Sequence, residues 1–172
     1  MVELPIPGVT VRRPDESDHG RVVAALPSWW PSGPATADGQ RLASLAQRLF
    51  FRHFATSSSL VERDGELLGF LIAFLSPTHT HEGYVHLVGV APAVRGAGLA
   101  RYLYLRFFEY CRDHGRTTVR AVTSPGNAGS YAFHTSLGFT AQPGQAEFEG
   151  RPVQLGYDGP GLDRISFVRR LD

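Results

Sequence analysis

The chain has 172 residues, 42% apolar and 19% charged, with a formal net charge of +1. These values suit one soluble globular domain with a core of useful size and argue against a dedicated nucleic-acid surface. A single cysteine, Cys111, excludes an intramolecular disulfide and fits a reducing compartment. All 17 basic residues are arginine, so no lysine amine is present. Residues 1–10 lack the basic start and long apolar run of a signal peptide. The longest apolar run, Leu67 to Leu75, is too short to span a membrane. The expectation is a cytoplasmic protein with one domain over residues 1–172.

Val9 to Arg12 alternates like a short strand, ended by Pro14. Asp15 can cap a helix from about Glu16 to Leu26, with Pro27 as its stop. Ser28 to Pro34 reads as a loop with adjacent Trp29 and Trp30. Leu42, Leu45, Leu49 and Phe50 recur at helical spacing, which predicts a helix over about 40–54 with Phe51, His53 and Phe54 widening its apolar face. Ser58 to Arg63 and Glu66 to Leu75 are strands joined by Asp64-Gly65, a hairpin signal. A loop with His79 and His81 leads to a strand over 84–90. A long amphipathic helix follows over about 98–114, and Gly115 suits its stop. Thr117 to Val122 is a strand, Asn127 to Leu137 a helix, and Gly138 to Thr140 a short return strand. A hairpin around Glu149-Gly150, a glycine-rich loop over 156–161 and a strand over 165–171 complete the chain. Hairpins followed by two strand–helix units imply a mixed α/β sheet of about six or seven strands with helices on both faces.

Arg95-Gly-Ala-Gly-Leu-Ala100 lies between a strand and a helix. Glycines there allow close approach of a ligand, and the helix offers N–H groups and a positive dipole end to a phosphate. A lysine-free chain cannot supply the Gly-x-x-x-x-Gly-Lys-Ser/Thr pattern. A dinucleotide fingerprint would need glycine or alanine where Arg101 stands, and a shorter path from strand to glycine. The remaining fit is Arg/Gln-x-x-Gly-x-Gly/Ala. With the preceding Val88-Gly-Val90-Ala-Pro92, and with Asn127-Ala-Gly-Ser-Tyr-Ala-Phe-His134-Thr-Ser-Leu-Gly138-Phe139 further on, the chain resembles the GCN5-related N-acetyltransferase (GNAT) family over roughly residues 58–141.

That resemblance implies acetyl-CoA as cofactor and acetyl transfer to the amine of a small molecule or peptide by direct attack on the thioester. It implies that Arg95, Gly96, Ala97, Gly98, Leu99 and Ala100 hold the diphosphate. The Arg95 side chain either adds charge there or is a solvated surface group. Val88, Gly89 and Val90 match the strand that pairs with the pantetheine arm, where a backbone N–H can stabilise the oxyanion. Asn127 is either a pantetheine contact or a helix N-cap, with Ser130 one turn further on. His134 stands where the family often has a tyrosine that protonates the leaving thiolate, so it is a candidate acid, or a cofactor contact or packing group. His86 is a candidate general base. Period-2 alternation predicts that it shares a face with Tyr84, Val88 and Val90. The alternative is a histidine satisfied within the sheet.

Trp29, Trp30, Phe54, Tyr84, Tyr157 and Asp158 are candidates for the acceptor site, where aromatic walls and a carboxylate suit an amine with an apolar body. The loop over 156–161 could instead serve a homodimer. The histidines suggest no metal site, because no carboxylate or cysteine completes a ligand set. Neither a membrane nor a nucleic acid is expected as partner. The competing function is a CoA-binding sensor or scaffold without turnover.

Overall fold

The computed structural model describes residues 4–30 and 44–171. Its elements are β1 (Thr10–Arg12), α1 (Asp18–Trp29), α2 (Arg48–His53), β2 (Ser59–Arg63), β3 (Glu66–Leu75), β4 (Glu82–Val90), α3 (Leu99–Asp113), β5 (Thr118–Thr123), α4 (Ala128–Ser136), β6 (Thr140–Ala141), β7 (Ala146–Phe148), β8 (Arg151–Val153) and β9 (Ile165–Arg170). A seven-stranded sheet, mostly antiparallel, forms the centre of a mixed α/β fold, and β7 and β8 pair separately. The residues group into two compact units, Met1–Phe74 with His86–Tyr110 and Leu75–Val85 with Cys111–Asp172. Strand β4 contributes to both.

In the first unit, β1 and β3 flank β2, both antiparallel to it. Asp64 and Gly65 turn the β2–β3 hairpin with φ of 51° and 82°, the left-handed pair that a two-residue hairpin loop requires. Residues 68–73 of β3 are all buried, because both faces of the strand are covered. Phe70 and Ile72 pack with Val22, Leu26 and Trp29 of α1 and Phe51 of α2. On the opposite face, Leu99 at the start of α3 packs against Gly69, where an added Cβ would meet its Cδ2 at 3.0 Å. Helices therefore lie on both faces, as the pattern of elements predicts.

Helix α1 starts later and ends later than expected. Asp15 braces its entrance by accepting from the Ser17 N–H and hydroxyl. The buried Asp18 carboxylate accepts from the Asp15 N–H and from both terminal nitrogens of Arg12. Pro27 does not stop the helix, which runs on to Trp29. A proline this near the end removes one N–H donor, and the Trp30 N–H still closes on the Leu26 carbonyl at 3.0 Å. The long helix expected over 40–54 is also corrected. Residues 31–43 lie outside the described residues, and Gln47 is extended (φ −62°, ψ 143°), so α2 begins only at Arg48. The apolar spacing across that break is real, but the backbone does not follow it as one helix.

In the second unit, residues 82–85 of β4 run parallel to β5, and β9 lies antiparallel between β5 and β6. His134 of α4 stacks on Phe167 of β9, with ring centroids 4.7 Å apart, and meets Phe139 edge-on. Glu149 and Gly150, with φ of 50° and 74°, turn the β7–β8 hairpin as predicted. Among the described residues no helix is long and apolar enough to cross a membrane, and no group of three His, Cys, Asp or Glu side chains could hold a metal ion.

Candidate functional site

The glycine loop sits in the first unit. Pro92–Val94 make one 3₁₀ turn, residues 95–98 are exposed, and Leu99 then buries to start α3. Gly96 and Gly98 have φ of 80° and 84°, a region that side-chain-bearing residues adopt at a cost. Nothing lies within 4 Å of where a Gly96 Cβ would be. Open space therefore sits over the loop. The α3 ladder begins with the Tyr102 N–H donating to the Gly98 carbonyl at 2.9 Å. The N–H groups of Leu99, Ala100 and Arg101 thus lack an acceptor within the helix, the arrangement that suits an anion.

Arg95 is exposed, and its guanidinium turns back onto backbone carbonyls. Its Nη2 donates to the Trp29 carbonyl and its Nε to the Val90 carbonyl at 3.3 Å. The Trp29 carbonyl lies at the C-terminal, negative end of α1. The guanidinium ties the phosphate-type loop to a helix end and a strand end.

Strand β4 departs from strict alternation. His86 stacks on Phe50 with centroids 4.1 Å apart, while its neighbour Leu87 packs on the α1–α2 cluster to which Phe50 also belongs. Gly89 and Ala91 face the same cluster: a Cβ on Gly89 would meet Phe70 Cε1 at 2.5 Å, and Ala91 is part of the cluster. Two consecutive side chains, 86 and 87, thus both contact residues of one cluster. Val88 and Val90 fall on the opposite face from His86, which corrects the shared face expected from period 2. Gly89 is glycine because the Phe70 ring lies against it. The parallel pairing of β4 with β5 ends at Val85, just before the irregularity.

His86 Nε2 lies 2.7 Å from the Leu45 carbonyl. A carbonyl only accepts, so Nε2 carries the proton and the basic lone pair of the neutral ring is on Nδ1. Phe50 also meets Phe54 and Phe74 at 6.1 and 6.3 Å, and Phe54 meets Phe74 at 5.4 Å. All four rings are half-buried. Of the tryptophans, Trp29 is buried and stacks on Phe70 at 5.8 Å, and Trp30 meets the same ring edge-on at 6.4 Å.

In the second unit, Asn127 caps α4: its Oδ1 accepts from the Ser130 N–H at 2.9 Å, leaving the amide NH₂ as the donor for a ligand. His134 is 4% exposed, and its Nδ1 donates to the Ser130 carbonyl at 2.8 Å. Burial pushes its pKa down, against the opposing pull of that hydrogen bond. A neutral imidazole whose one N–H is already donated has no ready proton for a leaving group.

Tyr84 is also in this unit. Burial, followed by the nearby Tyr157 and Asp158, raises its pKa. Asp158 accepts from Arg164 Nε at 2.7 Å. The loop is braced by the Gly156 N–H donating to Asp163 Oδ1 at 2.7 Å and by a bridge between Gln154 and Arg164. Of the six acceptor-site candidates, Tyr84, Tyr157 and Asp158 lie near one another in this unit, and sequence reasoning missed Arg164 beside them. It also missed the partnership of His86 with Phe50 and the Leu45 carbonyl. The Phe50/Phe54 spacing was a signal for a ring cluster, whereas a backbone acceptor leaves no residue-type trace.

The model of the acetyltransferase (GNAT) family matches residues 23–139. The L-2,4-diaminobutyric acid acetyltransferase of Nocardia farcinica is 30% identical over 55% of this chain and 49% of its own length. The mycothiol acetyltransferase of Thermomonospora curvata is 36% identical over 54% of this chain and 31% of its own. The chain thus matches about half or less of these relatives. Among solved structures, the diaminobutyrate acetyltransferase of Paenibacillus lautus, in complex with L-2,4-diaminobutyric acid and coenzyme A, superposes with a TM-score of 0.65 at 21% identity, covering 95% of each chain. The ribosomal-protein-S18-alanine N-acetyltransferase of Escherichia coli gives 0.65 at 17% identity, over 95% of this chain and 94% of its own. At these identities the likeness is one of fold.

Proposed function

Because the chain belongs to the acetyltransferase (GNAT) family, we propose that it is an acetyl-CoA-dependent N-acetyltransferase acting on the amine of a small molecule or peptide. Acetyl-CoA supplies an activated acyl group: the ammonium form of the acceptor first releases one proton, the neutral nitrogen bonds to the thioester carbon, the C–S bond breaks, and the second proton lost by nitrogen balances the one that makes CoA the thiol. The open space over Gly96, flanked by left-handed glycines and the first N–H groups of α3, suits its diphosphate. Backbone groups of Val88, Gly89 and Val90 hold the pantetheine, and one N–H of this stretch meets the oxyanion. In the second unit the Asn127 amide and the Ser130 hydroxyl are the pantetheine contacts.

The single observation that carries the chemistry is His86, with Nε2–H fixed on the Leu45 carbonyl at 2.7 Å and Nδ1 as its basic atom. It receives the proton that the amine must lose. The acceptor-side candidates are Trp30 and Phe54 in the first unit and Tyr84, Tyr157 and Asp158 in the second. Trp29 acts there through packing, since it is 6% exposed. His134 we assign to holding α4 on Phe167 rather than to acid catalysis, with the thiolate taking its proton from solvent. Residues 1–172 act as one acetyltransferase domain in a reducing cytoplasm, where burial pushes the Cys111 thiol up to about 12. Exposed Phe148 and Leu155 offer apolar area for a homodimer.

The test is amine-dependent thiol release from acetyl-CoA by the wild type and by His86→Ala. The variant is expected to lose about 100-fold or more in kcat near neutral pH and less at high pH. An unchanged pH–rate profile retires His86 as the base. CoA binding without release by any amine supports the sensor reading instead.

A further inference from the structure

We propose that residues 4–6 position the cofactor loop: Pro5, anchored by buried Ile6, walls the Gly98 side of the glycine loop, so that a diphosphate enters over Gly96 and its binding holds this segment in place. This deepens the acetyltransferase reading above and rests on it. Among the described residues, the Pro5 Cβ is the one heavy atom beyond Gly98 and its chain neighbours that lies within 4 Å of where a Gly98 Cβ would be, at 3.7 Å. Over Gly96, two residues earlier, the corresponding space is empty. One side of the loop is therefore walled and the other open. Pro5 and the loop belong to the same compact unit.

The sequence sets this segment up locally. Leu4-Pro-Ile-Pro-Gly8 carries two prolines, each of which fixes its own φ and pushes the residue before it towards extended backbone. Pro7 followed by Gly8, with φ of 70°, is the residue pair that a type II turn favours. It redirects the chain just before β1, which pairs with β2 from Thr10 onward. Ile6 is 8% exposed, whereas Pro5 and Pro7 are exposed. Ile6 is thus the anchor and Pro5 the part laid beside the loop. The loop gains from such a wall. Residues 95–98 are exposed and both glycines are left-handed, and glycine loses more freedom on ordering than any other residue. Arg95 fixes one end on the Trp29 and Val90 carbonyls. At the other end the Gly98 carbonyl accepts the first bond of α3, and Pro5 covers its open side. A loop held at both ends presents N–H groups already placed, so less binding energy is lost in ordering it. By linkage, whatever the segment adds to diphosphate affinity, the diphosphate adds to the hold on the segment.

The test measures Kd for CoA, ADP and S-acetylpantetheine with the wild type, Pro5→Gly, Pro5→Ala and Ile6→Ala, together with amide hydrogen exchange at Ile6 and Gly8. Ile6→Ala is expected to weaken CoA and ADP by about tenfold. Pro5→Gly is expected to weaken both by about threefold, and S-acetylpantetheine, which lacks the diphosphate, is unchanged in each variant. Pro5→Ala keeps the Cβ and restores most of the affinity. In the wild type, CoA and ADP slow exchange at both amides by about fivefold or more, and S-acetylpantetheine does not. Should Ile6→Ala fail to fold, Pro5→Gly, at an exposed position, decides alone. Equal weakening of all three ligands marks the segment as general support and overturns the inference. Unchanged CoA and ADP affinity in Pro5→Gly, or amides at Ile6 and Gly8 that CoA leaves unprotected, overturns it too, and CoA binding in that case leaves the acetyltransferase reading standing. A wild type that binds no CoA overturns both.

Discussion

Arg95 ties the glycine loop to two backbone oxygens rather than to another side chain. Its guanidinium donates to the carbonyls of Trp29 and Val90, so its charge sits on the negative end of α1, and the loop beyond it is held by two fixed points. A positioning role of this kind has a distinctive consequence. Arg95→Ala is expected to raise the KM for acetyl-CoA by about tenfold and to leave kcat/KM for S-acetylpantetheine, which lacks the diphosphate, unchanged. Equal losses with both donors would show that the side chain merely supports the fold. That Arg95 stands in a glycine loop leading into a helix was legible in the sequence. Its partners were not, because they are backbone oxygens brought close only by the folded chain.

At the scale of the element, β4 carries the most information and was the least regular to read. Its apolar alternation correctly announced a strand, and Asp64-Gly65 and Glu149-Gly150 correctly announced hairpins, because turn chemistry is local. The change of phase between His86 and Leu87 is set by the helices packed above the strand, and a period-2 reading cannot see it. Helix α1 teaches the same lesson. Proline is a reliable stop inside a ladder, but close to a helix end it removes only one bond. Gly89 tests the packing of β4 directly. An alanine there must displace the Phe70 ring, 2.5 Å from the new Cβ. Gly89→Ala is expected to cost about 1–3 kcal/mol, seen as a lower urea midpoint at unchanged m-value.

For the whole molecule, two sets of titrating groups divide the acid limb of stability. The hydrogen bond from Arg12 holds the Asp18 carboxyl below its ordinary 3.8 and the Glu62 carboxyl below its ordinary 4.5. Their contribution is present above those values and disappears as pH falls through the lowered ones. His134, depressed from 6.5 by burial, acts in a different window. Below pH 6.5 the unfolded chain takes up a proton that the folded chain refuses, so stability declines as pH falls there. Urea titrations from pH 8 to 3 are expected to show two successive declines. His134→Phe should flatten the one that starts near pH 6.5, and Asp18→Asn the one that starts near pH 4. A single decline that neither variant alters would contradict both assignments.

The contacts of His86 and Leu87 give β4 a freedom that strict alternation lacks. Residues through His86 keep one alternating phase and residues from Leu87 onward keep another. A change of side chain on one side of that point imposes nothing on the other. The proposed base and the proposed pantetheine strand occupy one continuous segment of backbone. A family that keeps its cofactor and exchanges its acceptors has use for a joint of that kind.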